Sequence, residues 1–254
     1  MSKANWWEPG GLEAWRSVGD PLADAVIEVL ADLEEKPQME SSLGFVERMA
    51  ANTTLSAAQR QPLRNFLQVN AQPPDWLDWG AVLRGQTFFV RYGVIHATAL
   101  LLGGLLESYS DTQIANVLMR TGRLKKGTYR RIFETGQMVY DVMIPDGLRE
   151  GRRGFRTVLK VRLMHAGVRR LMARSPRWDH AQFGQPIGQE DMAFTLLMFD
   201  VATLRGVQRL GLRVSAAQRR DFHHLWRYVG WLMGVAKTLQ YPYPKNVHST
   251  LSSQ

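Results

Sequence analysis

Apolar residues recur every three to four positions along almost the whole chain, and this spacing limits the folds that the chain can adopt. In the segment Asp20–Glu35, Leu22, Val26 and Leu33 follow the 3.6-residue period of an α-helix. The pattern predicts further helices at Leu55–Val69, from Asp75 onward, and at Tyr92–Tyr109, Asp111–Arg120, Thr128–Met143, Phe155–Arg174, Gln189–Leu210 and Ser215–Thr238. No useful length of sequence alternates with period two, the spacing of a half-buried strand. We therefore expect an all-α fold, with residues 1–254 forming a single helical domain.

The 254 residues contain no cysteine, which limits the chemistry of the chain. Disulfides, thiolate zinc sites, iron–sulfur clusters, a cysteine nucleophile and covalently attached haem are excluded. The HExxH, GxSxG, Walker and GxGxxG patterns also do not occur. The chemistry that remains depends on histidine, carboxylates, hydroxyls and arginine, or on a cofactor held without thiols.

The start of the sequence favours a cytoplasmic protein. Met1–Gly11 contains a Trp-Trp-Glu run where a secretory signal peptide needs a basic start followed by an apolar stretch. The most apolar segment, Gly93–Leu106, has 14 residues, whereas a membrane-spanning helix needs about 20. We expect no transmembrane segment, and a peripheral contact with a membrane stays open.

Charge is unevenly distributed along the chain, whose formal net charge is +9. Residues 1–50 hold ten acidic and four basic side chains, while residues 120–174 hold fifteen basic and four acidic ones. A basic cluster is one sign of nucleic-acid binding, but a solvated helix face is the commoner explanation. Because neither a helix-turn-helix pattern nor an array of stacking aromatic residues accompanies the cluster, we expect no nucleic-acid partner.

The predicted helix Phe155–Arg174 carries a histidine on its apolar face. At about 100° per residue, His165 lies on the same face as Val161, while Arg162 and Arg169 lie to one side. One interpretation is a core histidine that is hydrogen-bonded to a carbonyl, with the arginines at the rim of a packing face. The other is an axial ligand of haem, because a histidine commonly holds b-type haem iron and arginines pair with carboxylates such as the propionates. The spacing alone leaves both interpretations open.

A second predicted helix, Thr128–Met143, combines three chemically useful side chains. Arg131, Glu134 and Thr135 fall within about 100° of one another around its axis. A cation, a carboxylate and a hydroxyl on one face can polarise an oxidant, move a proton and donate a hydrogen bond. The alternative is an exposed helix with an ordinary Arg131–Glu134 pair.

Several blocks of sequence occur in a characteristic order between about residues 74 and 235. They are residues 122–124 (GRL), 130–135 (RRIFET), 161–169 (VRLMHAGVR), 184–191 (GQPIGQED) with 195–199 (TLLMF), and 224–230 (HLWRYVG). Together they resemble the conserved blocks of the rubber oxygenase and MpaB-type oxygenase catalytic domain family, which includes the latex clearing proteins. The resemblance covers nearly two-thirds of the chain.

The resemblance implies a globin-like all-α core that binds one b-type haem, haem b, without a covalent link. It makes His165 the proximal ligand of the iron. Arg162 and Arg169 match the arginines that surround this ligand in the family, and Arg227 matches a further arginine near the end of the domain. These four residues are therefore expected on the cofactor-binding side of the site.

On the opposite, distal side, the resemblance implies a catalytic role for Arg131, Glu134 and Thr135. Arg131 and Thr135 match the distal arginine and threonine of the family and are expected to stabilise the oxidant. Glu134 stands where latex clearing proteins carry a lysine that can close the distal side of the iron. A glutamate there implies an open iron, or a carboxylate near iron, and makes Glu134 a candidate proton carrier.

The activity implied by the resemblance is a haem-dependent oxygenase reaction, in which dioxygen cleaves a C=C bond of an isoprenoid or another apolar alkene. The expected partners are an apolar small-molecule substrate, dioxygen and a redox partner. Because the export signal and long flanking segments of the secreted rubber-cleaving enzymes are missing, we do not expect polymeric rubber as the substrate. Two alternatives stay open: a haem peroxygenase or peroxidase that uses Glu134 as acid and base, and a non-catalytic haem-binding gas sensor.

Overall fold

The computed structural model describes residues 11–33, 42–105, 128–176 and 178–239. This part of the chain is built of helices and turns and contains no strand, which confirms the predicted all-α class. The α-helices are α1 (Pro21–Ala31), α2 (Ser42–Ala51), α3 (Ala57–Ala71), α4 (Trp79–Arg91), α5 (Gly93–Ala99), α6 (Thr128–Met143), α7 (Arg153–Ala173), α8 (His180–Phe183), α9 (Gln189–Leu197), α10 (Thr203–Arg209) and α11 (Ala216–Leu232). Short 3₁₀ turns lie at Glu13–Trp15 and Lys237–Leu239. The helix predicted at Asp111–Arg120 lies outside the described residues.

Local sequence signals fix several helix starts. Asp20 precedes Pro21 and accepts a hydrogen bond from the amide of Ala23, so it caps α1. Ser56 and Ser215 form capping boxes at the starts of α3 and α11, in which the serine hydroxyl and a glutamine side chain three residues later satisfy free amides. These starts lie within one or two residues of the predicted ones.

Helix α2 is not among the predicted helices, although its buried residues have helical spacing. Leu43, Val46 and Ala50 are buried and lie on one face. The element has only ten residues and contains Gly44, which disfavours a helix. Packing against α3 and α7 supplies the stability that the local sequence lacks.

Two segments continue neighbouring helices with π-helical geometry. Leu100–Leu105 extends α5, and Met198–Ala202 joins α9 to α10. The two segments pack against each other, and a Cβ on Gly206 would lie 2.9 Å from the Cβ of Ala99. Periodicity predicts these stretches as continuous helices, because a π-turn changes the hydrogen-bonding register without leaving a mark in the spacing of apolar residues.

Helices α4 and α11 form a tightly packed antiparallel pair. A Cβ on Gly85 would lie 2.8 Å from the carbonyl oxygen of Asp221, so only glycine permits this approach. The rings of Trp79 and Tyr228 meet edge to face at 5.3 Å near the start of α4. Within the described residues, no helix combines the length and the apolar character needed to cross a membrane.

Helix α7 occupies the middle of the fold. It packs against α1, α2, α6 and α11, and its side chains Val158, Leu159, Leu163 and Ala166 are buried in the core. Because four helices surround α7, the polar side chains that point away from its apolar face must find partners inside the protein.

Candidate active site

His165 lies half-buried on α7 with neither ring nitrogen hydrogen-bonded to a described residue. Its Nδ1 is buried and without a partner. Burial and, to a smaller extent, the positive charge of Arg169 lower the pKa of His165 to about 4, with Asp20 partly opposing the shift. At neutral pH the imidazole is therefore neutral, the form in which histidine binds a metal.

Arg162, one turn before His165, is buried and fully engaged with other parts of the fold. Its Nε and Nη2 donate to the two carboxylate oxygens of Asp20, at 2.6 and 2.8 Å. Its Nη1 donates to Asn70 Oδ1 at 3.0 Å and to the carbonyl of Leu232 at 3.2 Å. The predicted contact of Arg162 with a haem propionate stays a prediction, and four hydrogen bonds already occupy its guanidinium.

Arg169, one turn after His165, is also buried but keeps a free donor. Its Nε donates to Asp24 Oδ1 at 2.8 Å, and its Nη1 donates to the carbonyl of Ile187. Its Nη2 is buried and has no hydrogen-bond partner. A buried guanidinium nitrogen without an acceptor costs free energy, so this position can favour an anionic group of a ligand.

The two arginines that flank His165 thus form ion pairs with two aspartates at the start of α1. Asp20 and Asp24 lie four residues apart and therefore on one face of that helix. The series continues with Glu28, whose carboxylate accepts from Arg170 at 3.1 Å and from Arg174 at 2.8 Å. The acidic start of the chain is thus paired with the basic helix α7.

Periodicity does not reveal these partners. The signal that could have found them is the matching charge pattern, in which acids at every fourth position of α1 face basic residues of α7.

On α6, the structure separates the predicted distal residues. Thr135 is half-buried on the side of the helix that also carries the buried Val139 and Val142. Glu134 is exposed, and its Oε1 accepts from the Nε of Arg130 at 2.8 Å. Arg131 lies on the same helix, but its side chain is outside the described part of the structure.

A polar network fixes how α6 runs beside α7. Asp141 Oδ2 accepts from the hydroxyl of Thr157 at 2.8 Å, and its Oδ1 accepts from Gln137 at 2.7 Å and pairs with Arg153 at 2.8 Å. Glu134 lies seven residues before Asp141 on α6, and Met164, the neighbour of His165, lies seven residues after Thr157 on α7. Since both helices rise by about 1.5 Å per residue, Glu134 and His165 lie at a similar height along the pair.

Arg227 on α11 carries a partly buried positive charge without an acidic partner in the described structure. Its guanidinium lies 3.9 Å from the ring centre of Trp76, and its Nε is buried without a hydrogen bond. Burial lowers the pKa of Arg227. A stacked guanidinium with free donors is suited to binding a carboxylate.

His223 and His224, neighbours on α11, contact different groups. The Nδ1 of His223 donates to both oxygens of the buried Asp200, at 2.6 and 2.7 Å, and burial raises the pKa of Asp200. The Nε2 of His224 accepts from the amide of Asp78 at 2.9 Å. Neighbouring residues of an α-helix point about 100° apart, so the two imidazoles reach different partners.

His96 lies in an aromatic cluster that no sequence motif marks as a site. Its ring centre is 4.7 Å from that of Phe88, 4.8 Å from Phe89 and 5.7 Å from Phe222. Its Nδ1 donates to the carbonyl of Tyr92 at 3.2 Å, while its Nε2 is buried without a partner. Burial lowers the pKa of His96.

Comparisons with known proteins place these helices in a family. A family model described as the catalytic domain of ER-bound oxygenase mpaB/B' and rubber oxygenase matches residues 90–248. A rubber oxygenase of Streptomyces sp. (strain K30) is 27% identical over 247 residues, which cover 93% of this chain and 60% of the relative. A solved structure of latex clearing protein in its closed state has a TM-score of 0.68 at 23% identity, covering 88% of this chain and 60% of that one.

The structural match shows a shared fold, and the chain spans about 60% of the length of both relatives. The region matched by the family model includes α6, α7 and α11, and with them every predicted site residue from Arg131 to Arg227. The chain belongs to the family of the mpaB and rubber oxygenase catalytic domain.

Proposed function

We propose that the chain binds one b-type haem non-covalently through His165 and acts as an oxygenase that cleaves a C=C bond of an apolar alkene with dioxygen. The observation that carries the proposal is the state of His165. Its imidazole is neutral, and its ring nitrogens have no hydrogen-bond partner in the described structure. The core histidine His96 keeps one hydrogen bond, to the carbonyl of Tyr92, whereas neither ring nitrogen of His165 is bonded to a described residue, so its imidazole is available to a ligand.

The residues around His165 fit a haem. The porphyrin needs an apolar wall, which α7 offers through Val161 and Val168 beside the histidine, and its propionates need cations. Arg227 and the Nη2 of Arg169 have the free donors for this task. Arg162 contributes to the site indirectly, because its ion pair with Asp20 holds the helix that carries His165. When bound, haem iron supplies the activation of dioxygen.

The distal residues hold and exchange protons in this proposal. Thr135 lies on the inward side of α6, where its hydroxyl can donate to the oxidant. Glu134 carries a carboxylate at the height of His165 and is linked to Arg130 at the protein surface, so it can exchange protons with solvent. Arg131, on the same helix, supplies positive charge to the distal side.

The proposed substrate is an isoprenoid or another apolar alkene of small size. Exposed aliphatic side chains support an apolar substrate, because Val90, Val94 and Leu102 are 55%, 83% and 62% exposed along α4, α5 and the π segment that follows. Such a surface attracts apolar molecules. Electrons for reducing the iron are assigned to a separate redox partner.

The first test is the absorption spectrum of the purified protein supplied with haem. We expect a Soret band that changes on reduction with dithionite, and a His165→Ala variant that loses this ligation. The exposed His180 gives a matched control, because His180→Ala should keep the wild-type spectrum. A missing Soret band, or a His165→Ala variant with an unchanged ligation spectrum, contradicts the proposal.

A second test separates the oxygenase from the two alternatives. The reduced protein is incubated with dioxygen and a panel of isoprenoid alkenes, and carbonyl products are measured. Products support the oxygenase. Binding of dioxygen without products would favour a gas sensor, and turnover with hydrogen peroxide in the absence of dioxygen would favour a peroxygenase or peroxidase. The exposed, arginine-paired position of Glu134 does not favour a buried acid of the peroxidase kind.

The proposed distal position of Glu134 can be tested by introducing the lysine that the resemblance implies at this position in latex clearing proteins. Glu134→Lys should add an amine ligand to the iron and shift the Soret band of the loaded protein. A matched change to lysine at Tyr140, an exposed residue further along α6, should leave the band in place. An unchanged spectrum of Glu134→Lys would contradict the distal assignment of Glu134.

A further inference from the structure

We propose that Asp20 is a positioning residue for the iron-binding side of the site and acts through Arg162 on His165. The inference rests on the proposed role of His165 as a haem ligand and goes beyond it. Asp20 caps the start of α1 and precedes residue 90, where the matched catalytic region begins. A residue outside that region would thus tune the haem.

The contact between Asp20 and Arg162 fixes two helices at one point. Asp20 is 2% exposed, and both of its carboxylate oxygens accept from the guanidinium. Its Oδ1 also accepts from the amide of Ala23, which anchors the first turn of α1. Arg162 lies one turn before His165, so displacement of this pair would rotate or shift the helix under the imidazole.

Further contacts close the space around the pair. Arg162 also binds Asn70 of α3 and the carbonyl of Leu232 at the end of α11. A Cβ on Gly234 would lie 2.5 Å from Asp20 Oδ2 and 2.6 Å from the guanidinium carbon of Arg162. Because four chain segments meet here without spare room, the pair has one geometry.

The pair also sets the charge near His165. Asp20 and Arg162 place one negative and one positive charge together, one helical turn from His165. Ferric haem carries one more positive charge than ferrous haem. Loss of the Asp20 charge alone therefore favours the ferrous form, and loss of the Arg162 charge alone favours the ferric form, since both charges act through a poorly solvated interior.

The test is the reduction potential of the full-length, haem-loaded protein, measured by spectroelectrochemistry. Asp20→Asn should raise the ferrous-to-ferric ratio at a fixed applied potential by about threefold or more. Arg162→Gln should lower it. The double variant should return close to the wild-type ratio. Glu28→Gln, which removes an exposed acid of the same helix face, is the control and should leave the ratio unchanged.

The opposite signs distinguish this role from a merely structural one, because loss of packing would move both single variants in the same direction. Equal potentials for wild type and Asp20→Asn, or shifts of one sign in both variants, overturn the inference. If one single variant does not fold, the other decides by the sign of its shift. Absence of haem ligation by wild-type His165 would instead overturn the proposed function itself.

Discussion

The carboxylate of Asp20 and the guanidinium of Arg162 form a buried two-point ion pair that ties the first helix of the chain to the helix of His165, with N–O distances of 2.6 and 2.8 Å. Arg162 is 5% exposed, and Asp20 provides the only carboxylate that contacts it among the described residues. Such a pair is costly to break from one side, because the remaining charge stays buried.

Replacing Asp20 with alanine should therefore destabilise the protein by about 3–5 kcal/mol, the usual cost of removing one partner of a buried pair. Glu28→Ala on the same face should cost less than about 1 kcal/mol, since exposed pairs contribute little. Urea denaturation of the haem-free protein measures both. Similar losses for the two variants would show that Asp20 is not the critical anchor.

Gly234 should tolerate a methyl group less well than Gly211. Both glycines have a positive φ, 78° and 92°, so alanine at either position carries a backbone cost of about 1–2 kcal/mol. Only at Gly234 would the new Cβ also meet Asp20 and Arg162, whereas nothing lies within 4 Å at Gly211. We expect Gly234→Ala to lose an additional 1–3 kcal/mol, about the cost of overpacking. Equal shifts in thermal unfolding would contradict the close approach.

The haem-free protein should lose stability when the pH falls from about 6.5 towards 4. The unfolded chain protonates His165 near its ordinary pKa of 6.5, while the folded chain protonates it only at about 4. Between these values the unfolded state binds more protons, so the unfolding free energy decreases as the pH is lowered. The stabilisation is complete above pH 6.5 and amounts to at most about 3 kcal/mol.

The lowered pKa of His96 acts in the same direction. Urea denaturation at a series of pH values measures the slope, and His165→Gln should flatten it. A variant with the slope of the wild type would show that His165 does not titrate as described.

Loss of the Arg227 charge should weaken haem binding. One charge-assisted hydrogen bond contributes about 1.5–3 kcal/mol, so Arg227→Gln should raise the dissociation constant of haem by about tenfold to a hundredfold. The exposed Arg220 on the same helix provides the control, and Arg220→Gln should leave the affinity unchanged. Transfer of haem to a scavenger globin measures the difference. Equal affinities would remove Arg227 from the cofactor site.

The helices could largely be predicted because their signals are local. Thr128–Met143 has the predicted bounds, and α11 begins at the capping box of Ser215. The candidate ligand His165 also follows from the helical period and the family resemblance. The π segments and α2 could not be read in this way, since their geometry is stabilised by packing against other helices.

The roles of the arginines were harder to predict. Arg162 and Arg169 lie beside His165, as the helical period requires, but their acceptors are Asp20 and Asp24 of a helix about 140 residues earlier. Of the three arginines that the family resemblance assigns to the cofactor side, Arg227 is the one that has no acidic partner among the described residues.

The sequence by itself determined the helical class, the exclusion of thiol chemistry and the position of His165 on its helix. It also determined that residues 1–50 are acidic and residues 120–174 are basic. Only the tertiary structure decided which charges meet. Periodicity describes one helix at a time, whereas an ion pair such as Asp20–Arg162 depends on how two helices pack. Burial then gives the pair its strength and leaves the His165 imidazole neutral.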